Sequence, residues 1–514
     1  MPRTVSNDLF DLIRSMSRNE KIYFKRYAKR HADNHNNNYI RLFDLIDEQP
    51  EYNEQKLAAR GFPKDGLART KNYLHKTILE TLQNYHAENK VETILKNQLA
   101  QVQILFEKTL FDQAGKLVVK TKKLASEYDE FPVLLEALKW EIRLYGNDLN
   151  FKRIERINAE QKKIIDKFNE FLEMESLSNI MFGIFRSEGY TGKKVVLDRI
   201  EQIIQHPRLQ ESEHKLTSFL SVQHYHSVFG LYHFITGNFQ QAYEYRLKKV
   251  SAFDAQPKYI TEYFQRYWRS IFEACALCSL LYKEDEFNRL LTKLRHVLSA
   301  YQKSISRETH ALIEQFIFIY QLQFYNHQGS FEKAHDCIIN QYPHLKKSET
   351  MLGKADSMTI LNLLARAYFG HGKFHESLKT VQLILNQSEQ DIPVNIYTMA
   401  RIIKLLCLYE IQQYDLLDSL MRSTLYHYEK KRSDFKLELT IIRYLQSLTS
   451  SPDSKARSKV LMEMRSDLLK LKTEPHQFFS FHDFDFIAWV DAQSGHETFG
   501  EIVRQNVRVA ADKS

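Results

Sequence analysis

Glycine and proline are scarce in this chain, at 15 and 10 of 514 residues, about 3% and 2% against usual levels of about 7% and 5%. Sandwiches, barrels and doubly wound sheets turn sharply many times and draw on both residues, so the scarcity excludes them. Four cysteines cannot build a disulfide framework. Long apolar runs are absent too. The least polar stretch, Ile271–Tyr282, has 12 residues and contains Glu273, whereas a membrane-crossing helix needs about 20. The first residues hold no apolar core of signal-peptide length. A cytoplasmic, reduced protein with no membrane partner is the expectation.

Catalytic signatures are missing as well. Gly192 and Lys193 are followed by Lys194 with no glycine five residues earlier, so there is no Walker A loop, and GxGxxG, GxSxG and HExxH do not occur. Cys275 and Cys278 form one CxxC inside an apolar helical stretch. Zinc needs four ligands, so core cysteines are the better reading. His31 with His35 straddles an Asn-rich loop, His371 with His375 flanks a turn, and His482-Asp483 has no second His-Asp cluster beside it in sequence. No enzyme activity, metal or cofactor is expected.

What remains is rich in helix formers. Hydrophobic residues make up 43% and charged ones 26%, with 33 Phe and 28 Tyr, so the chain has material for a large core. One pattern recurs: a turn, an aromatic, two residues, then a small or apolar residue. The clear copies are Gly237–Ala242, Gly329–Ala334 and Gly372–Ser377, with looser ones at Phe111, Phe151, Lys194, Phe287 and Tyr414. The first positions, 111, 151, 194, 239, 287, 331, 374 and 414, advance by 40, 43, 45, 48, 44, 43 and 40 residues. A step near forty suits stacked helical hairpins, each with a sticky face that only a neighbour can cover. Glycine would accept positive φ at the turn. The aromatic would wedge between hairpins, and the small residue would let helices approach.

Leu361, Leu364, Ala365, Tyr368, Gly372, Phe374 and Ser377 follow the large, small, aromatic, glycine, aromatic, small order of the tetratricopeptide (TPR) repeat, which this region resembles over about residues 95–430. The resemblance implies an all-α, right-handed α-solenoid of about eight hairpins, with helices longer than those of the usual 34-residue unit. The expected division is a helical module at 1–90, repeats at 91–430 and a C-terminal helical cap at 431–514.

Within the module, Ser17 and Glu20 form a capping box. The helix from Asn19 to about His31 carries a basic stripe of Arg18, Lys21, Lys25 and Lys29. A polar loop over Asp33–Asn38 follows, then a helix from Tyr39 to Glu48. Glu54–Leu74 is similar to a helix-turn-helix: Leu57 and Gly61 are four apart, Phe62 follows, and Leu67 lies five beyond. Leu57 and Thr70 depart from the usual Ala and aliphatic. The second helix extends to Tyr85. Residues 1–90 hold 16 Lys+Arg against 12 Asp+Glu, about half the chain's net charge of +8, which permits an anionic partner there.

At the other end, Ser451-Pro452 reads as an N-cap with proline at the first helical position, opening a helix to Lys472. Phe478–Trp489 has six aromatics in twelve residues and reads as a lid on the last repeat's apolar face. The segments near residues 20 and 486 resemble helical-repeat proteins of Bacteroidetes, a likeness that carries no activity with it.

Two functions follow. The first is a non-enzymatic protein-interaction scaffold with a peptide or helix in the concave groove, touched by His224, Ser227, Gln323, Asn326, Asn362 and Arg366. Asn362 and Arg366, four apart, could share a carboxylate. The alternative is a nucleic-acid-binding regulator that uses Arg18, Lys21, Lys25, Lys29, Arg60, Lys64, Arg69 and Lys71, or Lys116, Lys120 and Lys123 on the first repeat. That layout matches TPR-containing bacterial regulators with an N-terminal helix-turn-helix, an analogy of fold alone.

Overall fold

The computed structural model describes all residues except 1–6, 32–37, 63, 87–89, 146–150, 303–304, 347–352, 389–391, 430–435 and 512–514. The loop at Asp33 and its His35 lie outside the described residues. Among the described residues every regular element is a helix. The chain divides into two units, Met1–Asn169 and Glu170–Ser514.

The first unit opens with helices Asp8–Ser15, Arg18–His31, Asn38–Asp47, Glu54–Ala59 and Lys64–Tyr85. The Ser17 amide donates to the Glu20 carboxylate at 2.6 Å, and the Glu20 amide donates to Ser17 Oγ at 3.3 Å. This is the reciprocal capping box expected there. Ile13, Phe24, Phe43, Leu57, Phe62, Leu67 and Ile78 share one core. Gly61, at φ +93°, makes the turn between the fourth and fifth helices. Helices Val91–Glu107, Phe111–Glu127 and Phe131–Tyr145 follow. Thr121 Oγ1 donates to Gln98 Oε1 at 3.0 Å, joining the first two of these.

One backbone turn recurs through both units. Thr109, Asp129, Gly237, Tyr282, Gly329, Gly372 and Gln412 all have φ between +56° and +82°. Each stands two residues before a helix start: Phe111, Phe131, Phe239, Glu284, Phe331, Phe374 and Tyr414. At Gly372 the amide donates to Phe369 O at 2.9 Å and the Lys373 amide to Tyr368 O at 2.8 Å. These two bonds satisfy orphan carbonyls of the ending helix. The same pair occurs at Thr109, Gly237, Gly329 and Gln412. Three residues after each of these helix starts, Ala114, Leu134, Ala242, Phe287, Ala334, Ser377 and Leu417 are buried. Ser377 Oγ also donates to Ala365 O at 2.8 Å, tying the two helices of its pair.

Three expectations are corrected. Phe287 is not the first residue of its helix, which begins at Glu284. It is the buried inner residue, stacked on Phe324 at 4.1 Å; the acidic Glu284-Asp285-Glu286 run opens the helix instead, where charge favours its N-terminus. Residues 151–188 do not form a hairpin but one 38-residue helix, Phe151–Glu188. No glycine or proline interrupts residues 151–182, so nothing breaks the ladder. The turn aromatic is a wedge between hairpins at Phe331, which is buried against Gly370 of the next pair, but not at four other turns. There it rests on an aromatic five residues earlier: Phe111 on Phe106, Phe239 on Phe234, Phe374 on Phe369 and Tyr414 on Tyr409. Phe151 has no such neighbour in sequence and is 74% exposed.

Candidate functional site

In the second unit, five helices end in one row of turns: Phe219–Ile235, Phe264–Leu280, Arg307–His327, Lys354–Gly370 and Val394–Glu410. Helix Ser454–Lys472 precedes a short helical turn at Pro475–Gln477, then helices Phe478–Asp483, Phe486–Ser494 and Phe499–Ala511. Asp453, not Ser451, caps the first of these: its carboxylate accepts from the Ala456 amide at 2.7 Å. Pro452 therefore lies outside the helix, because Asp453 is the residue whose side chain reaches the third amide.

The Phe-rich segment is not a lid on the last pair. It is a strap that visits the row of helix ends in chain order. Phe479 stacks on Phe234 at 5.8 Å, and His482 meets Tyr282 at 6.2 Å and His327 at 4.0 Å. Phe484 packs on Phe369 at 5.2 Å and Trp489 on Tyr409 at 5.7 Å. Trp489 Nε1 also donates to Glu410 Oε1 at 2.7 Å. The last helix then turns back. Phe499 stacks on Phe331 at 5.5 Å, and Arg504 Nη1 donates to Gly329 O at 2.9 Å. Two caps fix these bends. Asp485 accepts from the Ala488 amide, and Thr498 with Glu501 makes a second capping box. That box was legible as Thr-x-x-Glu and escaped the sequence reading.

A cavity of about 450 Å³ lies between strap and helices, lined by Asn326, His327, Arg366, His482 and Asp483 among aromatics. Arg366 is 3% exposed. Its Nη1 donates to Asp483 Oδ1 at 3.1 Å, and His327 Nε2 donates to the same oxygen at 3.3 Å. With Nε2 donating, His327 Nδ1 accepts from Ser279 Oγ at 2.7 Å. Burial pushes the Asp483 carboxyl up, but Arg366 and the His327 bond outweigh it and hold the carboxyl well below its ordinary range. Burial depresses both His327 and His482, so both rings are neutral near pH 7. Arg366 Nε and Nη2, Asn326 Oδ1, Asn362 Oδ1 and His482 Nε2 are buried with no hydrogen-bond partner, and each such atom costs about 1–3 kcal/mol. The second histidine that sequence proximity did not give to His482-Asp483 arrives from helix Arg307–His327.

The six groove residues divide. Ser227 and Gln323 are half-buried, while His224, Asn326, Asn362 and Arg366 are buried. Asn326 Nδ2 donates to Leu363 O at 3.0 Å and so joins neighbouring helices. Arg366 does hold a carboxylate, that of Asp483, with no bond from Asn362. His224 packs edge-on against Phe171, and burial with Arg266 and Lys249 lowers its pKa to about 4. Near it the buried Arg246 and Lys249 share the part-exposed Glu273 at 3.0 and 2.9 Å, an ionic cluster the sequence reading missed.

Half of the basic stripe is paired with carboxylates. Lys21 pairs with Asp47 at 2.5 Å, Lys25 with Asp44 at 2.6 Å, and Lys71 with Glu54 at 3.6 Å. Arg18, Lys29, Arg60 and Arg69 are exposed, as are Lys116, Lys120 and Lys123. Lys64 opens its helix, and its side chain lies outside the described residues. Cys275 and Cys278 are buried free thiols. Among the described residues no cluster of three or more His, Cys, Asp or Glu is arranged for a metal, and no helix is long and apolar enough to cross a membrane.

No family model, no curated protein and no solved structure matches the chain.

Proposed function

We propose that this chain is a cytoplasmic, non-enzymatic interaction scaffold, a TPR-like right-handed solenoid whose stacked helix pairs hold a partner peptide or helix. One observation carries the reading: the stack already holds a peptide. Residues 478–489 lie along five successive helix ends through aromatic anchors and one carboxylate, Asp483, on Arg366. Helix ends repeated at a regular step present repeated contacts, which is how a solenoid reads an extended ligand. The recurrent turn, with its buried inner residue, supports the repeat reading. Ser227 and Gln323 are half-buried, which leaves them accessible to a partner in trans under this reading.

The nucleic-acid alternative loses support from the ion pairs of Lys21, Lys25 and Lys71, since a cation already paired gains less from a phosphate.

A photo-crosslinking residue placed at Ser227 or Gln323, with exposed Arg289 on a second helix as control, tests the scaffold. Nuclease-resistant, salt-resistant crosslinks to a protein from 227 and 323 but not 289 are expected. Crosslinks at 289 alone, or to nucleic acid alone, would overturn the reading.

A further inference from the structure

Away from the strap's histidines, a second cavity of about 650 Å³ has Arg186, Asn395, Met399, Leu437 and Glu438 in its wall. Glu438 is its one acidic wall residue. The side chain is 7% exposed, and its Oε2 has no hydrogen-bond partner. Glu438 sits in the first turn of helix Lys436–Thr449, and its own backbone amide is the group that favours the ionised form. Burial outweighs that bond and lifts the carboxyl to about 7. Neither nearby cation answers it. Lys436, two residues away, pairs with Glu474 at 3.2 Å. Arg186, the other charged wall residue, is exposed.

A buried carboxyl with one oxygen unanswered is expensive unless a donor arrives. The rest of the wall says what kind of donor fits. Val394, Met399, Ile402 and Leu437 offer apolar surface, while Asn395, Thr398, Gln477 and Ser480 offer hydrogen bonds. A group with a methylene stem and a cationic head matches both halves.

We propose that this cavity is a binding site for an alkylammonium or alkylguanidinium group, with Glu438 as its counter-ion. The group comes either from a lysine or arginine side chain of a polypeptide or from a free aliphatic amine. Both present the same head and stem. The proposal does not depend on the scaffold reading, because it concerns one pocket and one charge.

The test uses the full chain and three probes: N-acetyl-lysine amide, putrescine and the neutral isostere N-acetyl-norleucine amide. Binding is read by ligand-observed NMR and calorimetry. The cationic probes should bind in the millimolar range, roughly what one charge-assisted contact and a short stem supply. Glu438→Gln keeps the shape, removes the charge and should weaken them by about tenfold or more. Asn395→Trp at the exposed rim should block entry while Glu438 stays in place, which guards against a folding defect in the first variant. Tighter binding of blocked lysine than of putrescine assigns the site to a polypeptide, and the reverse assigns it to a free amine. Equal binding of the norleucine probe, full affinity in Glu438→Gln, or no binding of either cation to folded wild type would overturn the proposal.

Discussion

Replacing Asp483 with alanine is the sharpest perturbation of the strap. The wild-type carboxylate takes bonds from Arg366 at 3.1 Å and His327 at 3.3 Å. Arg366 Nε and Nη2 already lack partners, so the variant leaves a buried guanidinium with nothing to answer it. Removing one partner of such a pair costs about 3–5 kcal/mol. The double variant Arg366→Met with Asp483→Leu removes both charges and should recover to within about 1 kcal/mol of wild type, since a buried pair is often no better than apolar packing. The pH dependence has a definite sign. Asp483 is held below its ordinary range in the folded state, so its contribution is present above the ordinary carboxyl pKa near 3.8. It is lost as pH falls through the lower folded value. Urea melts from pH 3 to 7 would show the wild type losing stability at the acid end and Asp483→Ala losing less. Hydrogen exchange would place the lost protection in Phe478–Asp483 and Phe486–Ser494. A single variant costing under about 1 kcal/mol, or a double variant as unstable as the sum of its parts, would refute the pairing of the buried Arg366 with Asp483.

Four further outcomes are expected. Glu438→Gln should stabilise the chain by about 3 kcal/mol at pH 8 and hardly at all at pH 4. The wild-type carboxyl rises from 4.5 to about 7 on folding, so wild-type stability falls as pH rises between those values and is level above them; an equal gain at both pH values in thermal melts would contradict this. Gly370→Ala would set a Cβ 2.3 Å from the Phe331 ring, while Gly372→Ala meets open space at φ +75°. The first should cost about 1–3 kcal/mol or more by overpacking, the second about 1 kcal/mol by backbone strain alone, and the reverse order in melts would show the turn register to be wrong. Ala334→Phe, at a fully buried helix contact, should cost about 1–3 kcal/mol, and an unchanged melting temperature would count against that contact. The chain should release DNA at about 150 mM salt; tight retention with a log–log slope that drops by about 1 for each of Arg18→Glu and Lys29→Glu would restore the regulator alternative.

Local signals carried far in this sequence, and distant ones did not. The capping box at Ser17, the end of the fifth helix at Tyr85 and the buried Ala242, Ala334 and Ser377 were all readable, because each depends on residues within a few positions. The register at Phe287 misled, since an aromatic serves equally well as a turn residue or an inner one, and only the left-handed Tyr282 separates the two. The strap was visible as aromatic-rich but not as a strap. Its partners Phe234, His327, Arg366 and Tyr409 lie roughly 80 to 245 positions upstream, and no short-range pattern encodes such a meeting. The same distance hid the His327–Asp483–Arg366 cluster, whose members are ordinary when taken singly. Glu438 was overlooked because a glutamate in a first helical turn is usually a solvated partner of the helix dipole.

The recurrent turn bears on how this chain can drift in sequence. Of its seven occurrences among the described residues, Thr109, Asp129, Tyr282 and Gln412 adopt the left-handed backbone without being glycine. The shape is therefore inherited through carbonyl geometry and not through a letter. A lineage could lose every glycine from these junctions and keep the architecture, at about 1 kcal/mol for each loss. Comparison of letters would then dim long before comparison of shapes. The converse is a reserve for engineering: glycine at 109 and 412, both exposed, should return that energy at each junction without touching a buried contact between helices, whereas Tyr282 is held by its contact with His482.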